Sequence, residues 1–345
     1  MFCGGGSGGH LYPGIAVADQ LREHEPDCRI VFVGSMREVE RTVLAETRFE
    51  HVPLEVLPGA MLFRSPFRFL RTHRAAVRLS AELMDEHKPA AVIGLGGFAS
   101  VPFVTAAKGD APIVLLEQNR VPGRATSWLS RKADAVCISF PETVVRCERV
   151  EFTGNPVRKS VVDVRESDAG QTLLVLGGSQ GAVGLNSLVM SLLDKPMRLP
   201  DGWRVVHQSG LRDEDRVRSH YQSAGIDADV HAFIGDMPKA YADSGLVISR
   251  AGGTTLAELS CVGRASVLVP IPKSVRDHQA LNADCFSEAN AAIVLKQNVD
   301  VASAGEALGA LLSSEERREN LARSLKLLGC PDAAVAVADV ITSLC

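Results

Sequence analysis

The sequence predicts an α/β protein with two doubly wound parallel sheets, one in each half of the chain. Three observations support this fold class: short apolar runs alternate with helical patterns, glycine-rich turns follow several of these runs, and the pattern restarts near residue 171. Runs rich in Val, Ile and Leu without polar alternation are typical of strands buried on both faces. Strands that alternate with helices indicate βαβ units and therefore parallel sheets.

The predicted strands continue this rhythm through both halves. Only Met1-Phe2-Cys3 precede the first glycines, so we expect the opening strand to be nearly missing. The other strands of the first half are Arg29–Gly34, Ala91–Leu95, Pro112–Leu116 and Ala135–Ser139. Those of the second half are Thr172–Leu176, Arg204–His207, Val230–Ile234, Leu246–Ser249, Ser266–Ile271 and Ala292–Leu295. The polar stretch Asn155–Gly170 is the expected junction between two domains.

Composition narrows the class of protein. The 345 residues suffice for two domains, and 46% apolar with 23% charged residues is ordinary for a globular chain. A net charge of −4 gives no support for a nucleic-acid partner. Eight scattered cysteines without a CxxC pair favour reduced thiols over zinc or a disulfide framework. We find no secretory signal and no apolar run of the roughly 18 to 20 residues that span a membrane, and expect a cytoplasmic protein whose membrane role, if any, is peripheral.

One segment, from Val56 to Ala81, differs from the rest of the chain. It has no acidic residue and interleaves apolar side chains with five arginines, at positions 64, 68, 71, 74 and 78. A helix is expected to start near Pro66, because proline is favoured in the first turn of a helix. A basic, aromatic-bearing helix suits a surface of anionic lipid. The sequence leaves open the alternative of an ordinary surface helix whose apolar side joins the core.

Four glycine-rich turns each join a predicted strand to a helix. We call them, in chain order, the first to the fourth turn: Gly4–Gly9, Gly94–Phe98, Gly177–Gly181 and Arg250–Thr254. Glycine lets the backbone turn sharply and approach a ligand closely. The following helix N-terminus offers N–H groups and a partial positive charge. Such turns can hold a phosphate or diphosphate without a metal.

Two nucleotide-binding classes fit these turns less well. No Gly-x-x-x-x-Gly-Lys-Ser/Thr occurs, which disfavours a P-loop NTPase. The first turn has the spacing of a dinucleotide site, but Gly34-Ser35 stands where a ribose-binding acid is expected, so an NAD enzyme is a weaker alternative. After the fourth turn, Glu258 lies about one helical turn in. We expect it to bind a ribose diol; the alternative is a favourable charge near a helix N-terminus.

The ordered set of motifs resembles the MurG family, the bacterial undecaprenyl-diphospho-muramoylpentapeptide β-N-acetylglucosaminyltransferases. The resemblance covers nearly the whole chain. Its motifs are Gly4–His10 with Tyr12-Pro13-Gly14, Gly94–Phe98, Glu117-Gln118-Asn119 with Pro122-Gly123, Gly154–Arg158, Gly177–Gly181, Arg250–Glu258, and Asp277-His278-Gln279 with Asn282-Ala283.

The resemblance implies a GT-B fold of two Rossmann-like domains facing across a cleft, and an inverting reaction. N-acetylglucosamine would pass from UDP-GlcNAc to the muramoyl 4-hydroxyl of lipid I, giving lipid II for peptidoglycan synthesis. It further implies an N-terminal acceptor and membrane-side domain of residues 1–160 plus about 332–345, and a C-terminal donor domain of residues 161–331. The last helix, about Asp332–Leu344, would cross back to the first domain. The site would lie at the cytoplasmic face of the inner membrane, with cell-wall synthesis proteins as candidate partners.

Carried over motif by motif, the resemblance implies a set of donor-site residues. Glu258 would bind the ribose, Ser179 and the helix start the diphosphate, and Ile234 the uracil through its backbone. Gln279, Asn119 and Arg158 would contact the sugar side or close the site, while Ser7–Gly9 would face the acceptor diphosphate from the opposite wall. The full set is Ser7, Gly8, Gly9, Asn119, Arg158, Ser179, Ile234, Gly253, Thr254, Thr255, Leu256, Ala257, Glu258 and Gln279. We expect no metal in the donor site, because no Asp-x-Asp motif stands out there, and no other cofactor.

The remaining implied residues lie on the acceptor and membrane side. The acceptor residues are Gly96, Gly97, Phe98 and Glu117, and the membrane residues are Phe63, Phe67, Arg68, Arg71 and Arg78. His10 is the candidate general base, because it closes the first turn just before a helix expected from about Pro13 to His24. A helix N-terminus disfavours a positive imidazole, so a neutral ring can accept a proton. The alternative is that His10 only donates a hydrogen bond.

The chain departs from the family pattern in several places. Ser7 stands where threonine is more usual, Leu116 where histidine is common, and the Leu57–Pro66 loop lacks the usual pattern. Rival functions are another glycosyltransferase or a sugar-nucleotide epimerase on the same fold, and a non-catalytic binding module of two α/β domains.

Overall fold

The computed structural model describes residues 1–59, 61–164, 170–178, 181–194, 199–272 and 274–345. The chain divides into two compact units. The first unit comprises Met1–Arg158 with Pro331–Cys345, and the second comprises Lys159–Cys330. These borders lie within two residues of the predicted ones at 160 and 331.

The strands of the described residues are, in chain order, β1 Phe2–Cys3, β2 Val31–Ser35, β3 Glu50–Leu54, β4 Val92–Gly94, β5 Ile113–Glu117, β6 Ala135–Ile138, β7 Val150–Phe152, β8 Thr172–Leu176, β9 Arg204–Gln208, β10 Ala228–His231, β11 Ser244–Ser249, β12 Ser266–Leu268 and β13 Ile293–Val294.

The helices are α1 Gly8–His24, α2 Glu38–Ala45, α3 Met61–Arg64, α4 Pro66–His87, α5 Ser100–Ala107, α6 Arg124–Leu129, α7 Lys159–Val162, α8 Val183–Leu193, α9 Glu214–Ala224, α10 Met237–Asp243, α11 Gly253–Val262, α12 His278–Glu288, α13 Val301–Ser313, α14 Glu315–Lys326 and α15 Ala333–Thr342. Short 3₁₀ helices span Ser130–Lys132 and Val275–Asp277.

The first unit contains a parallel sheet in the order β3-β2-β1-β4-β5-β6-β7. β1 is only two residues long, yet it lies in the centre, where Phe2 pairs with Phe32 on one side and Ile93 on the other. The sheet order reverses between β1 and β4, so this is the switch point at which doubly wound sheets bind ligands. The first and second turns follow these two strands.

The second unit contains a parallel sheet in the order β10-β9-β8-β11-β12-β13. Its switch point lies between β8 and β11, whose registers run from Ser244 beside Thr172 to Ser249 beside Leu176. The third and fourth turns follow these two strands. In both units, therefore, the glycine-rich turns stand where the topology opens a crevice at the carboxyl ends of the strands.

Each sheet is covered by helices on both faces, as continuous apolar strands require. In the first unit, one core cluster includes Phe32 and Leu116 together with Val337 and Ile341 of α15. The C-terminal helix therefore packs with the N-terminal residues, against α1. A second cluster of the first unit lies around Phe103 and the other strand faces. The core of the second unit runs from Leu173 on β8 to Leu312 on α13.

All ten predicted strands overlap observed ones, but three details were wrong. The predicted strand Val230–Ile234 is Ala228–His231, which leaves Ile234 in a loop. The strands β3 and β7 were not predicted. Both are at the edge of the sheet and partly exposed, so they lack the continuous apolar run of buried strands. α1 starts at Gly8 and not near Pro13; a helix that continues through proline loses a backbone hydrogen bond, and here it tolerates that loss.

Candidate active site

The first turn leads from the central strand β1 into α1. Ser7 is the N-cap residue of α1 in an extended conformation, and His10 is the third residue of the helix. Ser7 Oγ lies 2.9 Å from His10 Nδ1. The imidazole also rests on the second turn, since a Cβ added at Gly96 would lie 3.1 Å from His10 Cδ2. The fold thus brings His10, the candidate base, together with the acceptor-side glycines.

Two side chains of the α2 region, Glu40 and Arg37, bind the backbone of the first turn. The Gly6 N–H donates to Glu40 Oε1 at 2.5 Å, and the Ser35 hydroxyl donates to the same oxygen at 2.5 Å. The Arg37 guanidinium donates to the Gly6 carbonyl oxygen at 2.9 Å. Burial raises the pKa of the Glu40 carboxyl, while the hydrogen bonds from Ser35 and Gly6 oppose the rise.

Sequence reasoning missed Glu40. The sequence has no acid directly after β2. The carboxylate that contacts the first turn is Glu40, which lies on α2, five residues beyond Ser35. A search for an acid within the first turn of α2 would have found it.

Glu117 at the end of β5 organises the loop that follows it. Its Oε1 accepts hydrogen bonds from the backbone and side-chain N–H groups of Asn119, at 3.1 and 3.2 Å. Its Oε2 accepts the Gly123 N–H at 3.0 Å. Burial raises the pKa of this carboxyl, which is 3% exposed. Glu117 therefore directs its carboxylate at its own loop and positions Asn119.

Arg158 ends the first unit and is held by α1. Its guanidinium carbon lies 4.1 Å from the centre of the Tyr12 ring, a cation–π contact. Both residues belong to motifs shared with the MurG pattern, and the structure brings them together within one unit. They also line an open cavity of about 410 Å³ with Asp19 and Arg48.

In the second unit, Gln208 connects the third turn to the loop after β10. Its Nε2 donates to the Gly178 carbonyl at 3.0 Å, and its Oε1 accepts the Ile234 N–H at 3.0 Å. The resemblance implies that the Ile234 backbone meets uracil, so a contact through this N–H requires exchange of the Gln208 bond. Ser179, the other predicted residue here, lies outside the described residues.

A buried histidine next to Gln208 on β9 links this strand to α8 and α9. His207 Nδ1 lies 2.8 Å from the Tyr221 hydroxyl, and its Nε2 lies 3.1 Å from Asn186 Oδ1. The Asn186 amide donates to the Ser209 carbonyl at 2.9 Å and to Asp213 Oδ2 at 2.7 Å. Burial lowers the pKa of His207 to about 3, so the imidazole is neutral at physiological pH.

The fourth turn opens directly into α11, which begins at Gly253 with Gly252 as its N-cap. The predicted residues Gly253–Glu258 therefore form the first six positions of this helix. Glu258 is 7% exposed, and its Oε2 accepts a hydrogen bond of 2.9 Å from the Tyr241 hydroxyl. Tyr241 was not predicted; it lies on α10 and fixes the orientation of the Glu258 carboxylate.

A buried cation lies beside this helix start. The Arg250 guanidinium donates to the carbonyl oxygens of Val269 and Pro270, at 2.8 and 3.3 Å, and to Gln297 Oε1 at 2.7 Å. Burial lowers the pKa of Arg250 to about 10, so it stays charged at neutral pH. A positive charge and a helix N-terminus together favour an anion at this edge of the sheet.

Gln279 is the second residue of α12 and is 9% exposed. Its Oε1 accepts the Ile271 N–H at 3.0 Å, which ties the start of α12 to the loop after β12. The neighbouring Asn282 side chain donates to the Ala251 carbonyl at 3.1 Å, within the fourth turn. The Asn282 side chain thus joins two of the predicted motifs of the second unit.

The predicted membrane residues lie on α3 and α4. Phe63 is 86% and Phe67 89% exposed, which is unusual for phenylalanine. Arg68 and Arg71 are exposed on α4, and Arg78 forms an ion pair with Glu82 at 3.1 Å. α4 packs on the unit through Ala76, Ser80, Leu83 and Met84, so its C-terminal part joins the core and its N-terminal part does not. Within the described residues, every helix falls short of the length and apolar content needed to cross a bilayer.

Comparison with known proteins decides the family. Residues 1–138 match the glycosyltransferase family 28 N-terminal domain, and residues 172–337 match its C-terminal domain. The chain is 38% identical to a UDP-N-acetylglucosamine–N-acetylmuramyl-(pentapeptide) pyrophosphoryl-undecaprenol N-acetylglucosamine transferase from Anaeromyxobacter sp. strain K, over all of this chain and 92% of that protein. The chain belongs to the MurG family. The MurG relative from Thermodesulfovibrio yellowstonii is 32% identical, over all of this chain and 98% of its own length.

Solved structures agree with the MurG assignment. Acinetobacter baumannii MurG superposes with a TM-score of 0.76 at 30% identity, covering 99% of this chain and 98% of that one. A UDP-GlcNAc 2-epimerase from Neisseria meningitidis, bound to UDP-GlcNAc, has a TM-score of 0.67 but only 14% identity, over 99% of this chain and 98% of that one. The second likeness shows the fold alone. The chain therefore has the α/β GT-B fold of MurG.

The structure sorts the MurG-type residues into two groups. The first unit holds Ser7, Gly8, Gly9, His10, Gly96, Gly97, Phe98, Glu117, Asn119 and Arg158. The second holds Ile234, Gln279 and the stretch Gly253–Glu258. The glycine-rich turns, His10 and Glu258 follow the strands beside the switch points, whereas the other residues follow neighbouring or edge strands: Asn119 after β5, Arg158 after β7, Ile234 after β10 and Gln279 after β12. Their individual roles stay predictions.

Proposed function

We propose that this chain transfers N-acetylglucosamine from UDP-GlcNAc to lipid I, giving lipid II. The observation that carries the proposal is its relationship to MurG transferases along its full length, at 32 to 38% identity. The relatives' names state the donor, the sugar transferred and the undecaprenol-linked acceptor. The glycine-rich turns, Glu258 and His10 stand at the switch points of the two sheets, which is where doubly wound folds bind ligands.

The second unit would bind the donor and stabilise its leaving group. The N-terminus of α11 and the buried Arg250 offer positive charge to a diphosphate. Negative charge grows on the UDP leaving group as the bond to C1 breaks, so this field stabilises the transition state more than the ground state. Glu258, oriented by Tyr241, would accept hydrogen bonds from the ribose hydroxyls.

The first unit supplies the proton acceptor. His10, held by Ser7 and packed on Gly96, would take the proton of the muramoyl 4-hydroxyl as that oxygen attacks C1. Attack and departure on opposite faces invert the anomeric centre. No metal is required in this scheme, because the diphosphate charge meets helix N–H groups and Arg250. We therefore expect turnover to persist in EDTA. Loss of turnover in EDTA that is restored by added magnesium or manganese would contradict this scheme.

The test of the activity is direct. The purified chain is incubated with UDP-GlcNAc and lipid I, and the products are resolved by mass spectrometry. We expect lipid II and one UDP for each sugar transferred. Conversion of UDP-GlcNAc to its 2-epimer without lipid I would instead establish an epimerase, and no change in the donor with either mixture would refute both.

We also propose that the protein acts as a peripheral protein at the cytoplasmic face of the inner membrane. The support is α3 with the exposed N-terminal part of α4, where Phe63 and Phe67 stand beside arginines without acidic neighbours. Aromatic side chains insert at the interface, and each basic residue near anionic lipid contributes about 1 kcal/mol.

A matched pair of double variants tests the membrane site. Arg68→Glu with Arg71→Glu should weaken binding to phosphatidylglycerol vesicles by about tenfold or more. Arg317→Glu with Arg323→Glu, on the exposed face of α14, makes the same change in net charge and should leave vesicle binding unaltered. Equal weakening by both pairs would show a general charge effect and contradict the proposed surface.

A further inference from the structure

Glu40 has no role in the proposed reaction, yet burial of its carboxyl costs free energy of folding. Its side chain is fully buried on α2, and a buried carboxylate is unfavourable unless hydrogen bonds compensate. The compensating donors are specific: the Gly6 N–H of the first turn and the Ser35 hydroxyl at the end of β2. Both donors bind Oε1, and the nearby charge of Arg37 also favours the ionised carboxyl, so Glu40 is held against a loop of the candidate site.

Two glycines make room for this carboxylate. A Cβ at Gly5 would lie 2.8 Å from Glu40 Oε1, and a Cβ at Gly34 would overlap Oε2. Gly5 also has a φ of +146°, which other residues rarely adopt. In nucleotide-binding turns the absent side chains let a ligand phosphate approach the backbone. Here the same space receives an anion from the protein itself.

Arg37 binds the carbonyl group of Gly6, the residue whose N–H binds Glu40. It donates to the Gly6 carbonyl, and its guanidinium carbon lies 5.3 Å from the centre of the Phe98 ring in the second turn. The N–H and the C=O of Gly6 are thus both held from the α2 region. Ser7, the next residue, contacts His10.

We propose that Glu40 is a positioning residue that fixes the first turn, so that Ser7 and His10 are presented to the acceptor in one geometry. The route is short: the carboxylate holds Gly6, Gly6 fixes the N-cap Ser7, and Ser7 orients the imidazole. This inference rests on the proposed transfer of N-acetylglucosamine, but the geometry of the turn can be measured without it.

The kinetic test uses three variants of the full chain. Glu40→Ala should lower kcat by about 10²-fold, the effect of displacing a catalytic group by about 1 Å. Glu40→Gln keeps an oxygen acceptor for Gly6 and should recover activity to within about tenfold of wild type, because the neutral bond is weaker but present. Glu38→Ala removes an exposed charge from the same helix and should have no effect. In all three, the Kd for UDP-GlcNAc should equal that of wild type.

An activity-independent measurement accompanies the kinetics. In hydrogen exchange followed by mass spectrometry, peptides covering residues 4–11 should exchange at least tenfold faster in Glu40→Ala, and near the wild-type rate in Glu40→Gln. Peptides covering residues 250–258 should not change in either variant.

The outcomes separate the two proposals. If wild type makes no lipid II while exchange in residues 4–11 still rises, the proposed function fails and the positioning of the turn stands. If wild type is active and Glu40→Ala matches it in kcat, Glu40 is not a positioning residue. Unchanged exchange in residues 4–11, or a loss of donor affinity equal to the loss in kcat, would likewise overturn the inference.

Discussion

The first turn and the third turn follow the equivalent central strands of their two sheets, yet they are held by different chemistry. In the first unit a buried carboxylate, Glu40, accepts the Gly6 N–H, and Arg37 binds the Gly6 carbonyl. In the second unit a neutral amide, Gln208, joins the Gly178 carbonyl to the Ile234 N–H. The first turn is thus held by charged groups from the α2 region, and the third turn by an uncharged side chain on β9.

The difference bears on which unit receives the nucleotide. Behind the first turn the carboxylate of Glu40 lies near the guanidinium of Arg37, so the two charges offset each other, whereas the second unit places Arg250 and the N-terminus of α11 at its switch point. Similar glycine motifs therefore do not imply similar ligands. The positive charge beside the fourth turn is the feature on which we base the proposal that the second unit binds the diphosphate of the donor.

The largest effect expected from breaking this arrangement is at His10. His10→Ala should lower kcat by about 10²–10⁴-fold, because the attacking hydroxyl loses its proton acceptor. The acidic limb of the kcat profile should disappear, and the Kd for UDP-GlcNAc should remain that of wild type, because we propose that the donor binds the other unit. Steady-state kinetics from pH 5 to 9 measure both. A loss of only a few-fold would assign the proton to another group.

The buried histidine on β9, next to Gln208, should make stability depend on pH. His207 has a pKa of about 3 in the folded chain against 6.5 when unfolded, so below pH 6.5 only the unfolded chain takes up this proton. The free energy of unfolding should therefore fall by about 1.4 kcal/mol per pH unit as the pH drops from 6.5 towards 3, a total of about 5 kcal/mol.

A variant isolates that contribution. His207→Gln has no titrating ring, while all carboxylates remain, so its stability should decline less steeply than that of wild type between pH 7 and pH 5. Urea unfolding at each pH gives the two slopes. Parallel slopes would mean that His207 has the same pKa in the folded and the unfolded chain.

Donor binding should respond more modestly to Glu258. Glu258→Ala removes a charged acceptor from the ribose, and one such hydrogen bond is worth about 1.5–3 kcal/mol, or roughly 10- to 100-fold in Kd. Tyr241→Phe removes only the hydroxyl that orients the carboxylate, so its effect should be a few-fold. Calorimetric titration with UDP-GlcNAc measures both variants. An unchanged Kd in folded Glu258→Ala would remove Glu258 from the site.

The smallest expected effect is at Gln208, and it tests directly whether the charge behind a turn affects donor binding. Gln208→Glu gives the third turn a carboxylate, as the first turn has, and should weaken UDP-GlcNAc binding by about three- to tenfold through repulsion of the diphosphate. Gln208→Ala removes the same bridge without adding charge and serves as the control. Equal Kd values for the two variants would show that the bridge matters and its charge does not.

Buried parts of this fold were predictable from the sequence, because continuous runs of Val, Ile and Leu at the sheet centre have few alternative structures. Thr172–Leu176 was predicted residue for residue. The edge strands Glu50–Leu54 and Val150–Phe152 were not, since a half-exposed strand has no such run. The start of α1 was also misplaced, because proline is only a statistical signal for a first turn.

The candidate site divides in the same way. His10, Glu258 and the glycines lie in local motifs that chain order reveals. Glu40, Arg37, Gln208 and Tyr241 act across the fold, from α2, β9 and α10, and their partners are fixed only once the sheets assemble. Motifs therefore identified the groups that would face the ligands, and tertiary structure was needed to find those that hold them.

The space shared by Gly5, Gly34 and Glu40 also constrains how this chain can change over evolutionary time. Because a side chain at either glycine would collide with the carboxylate, these three positions form one unit, and substitutions among them should be strongly non-additive. A lineage that shortened residue 40 would release both glycines from selection for size, although Gly5 would still be constrained by its backbone angle. Covariation between positions 34 and 40 is thus the evolutionary record that this packing should leave.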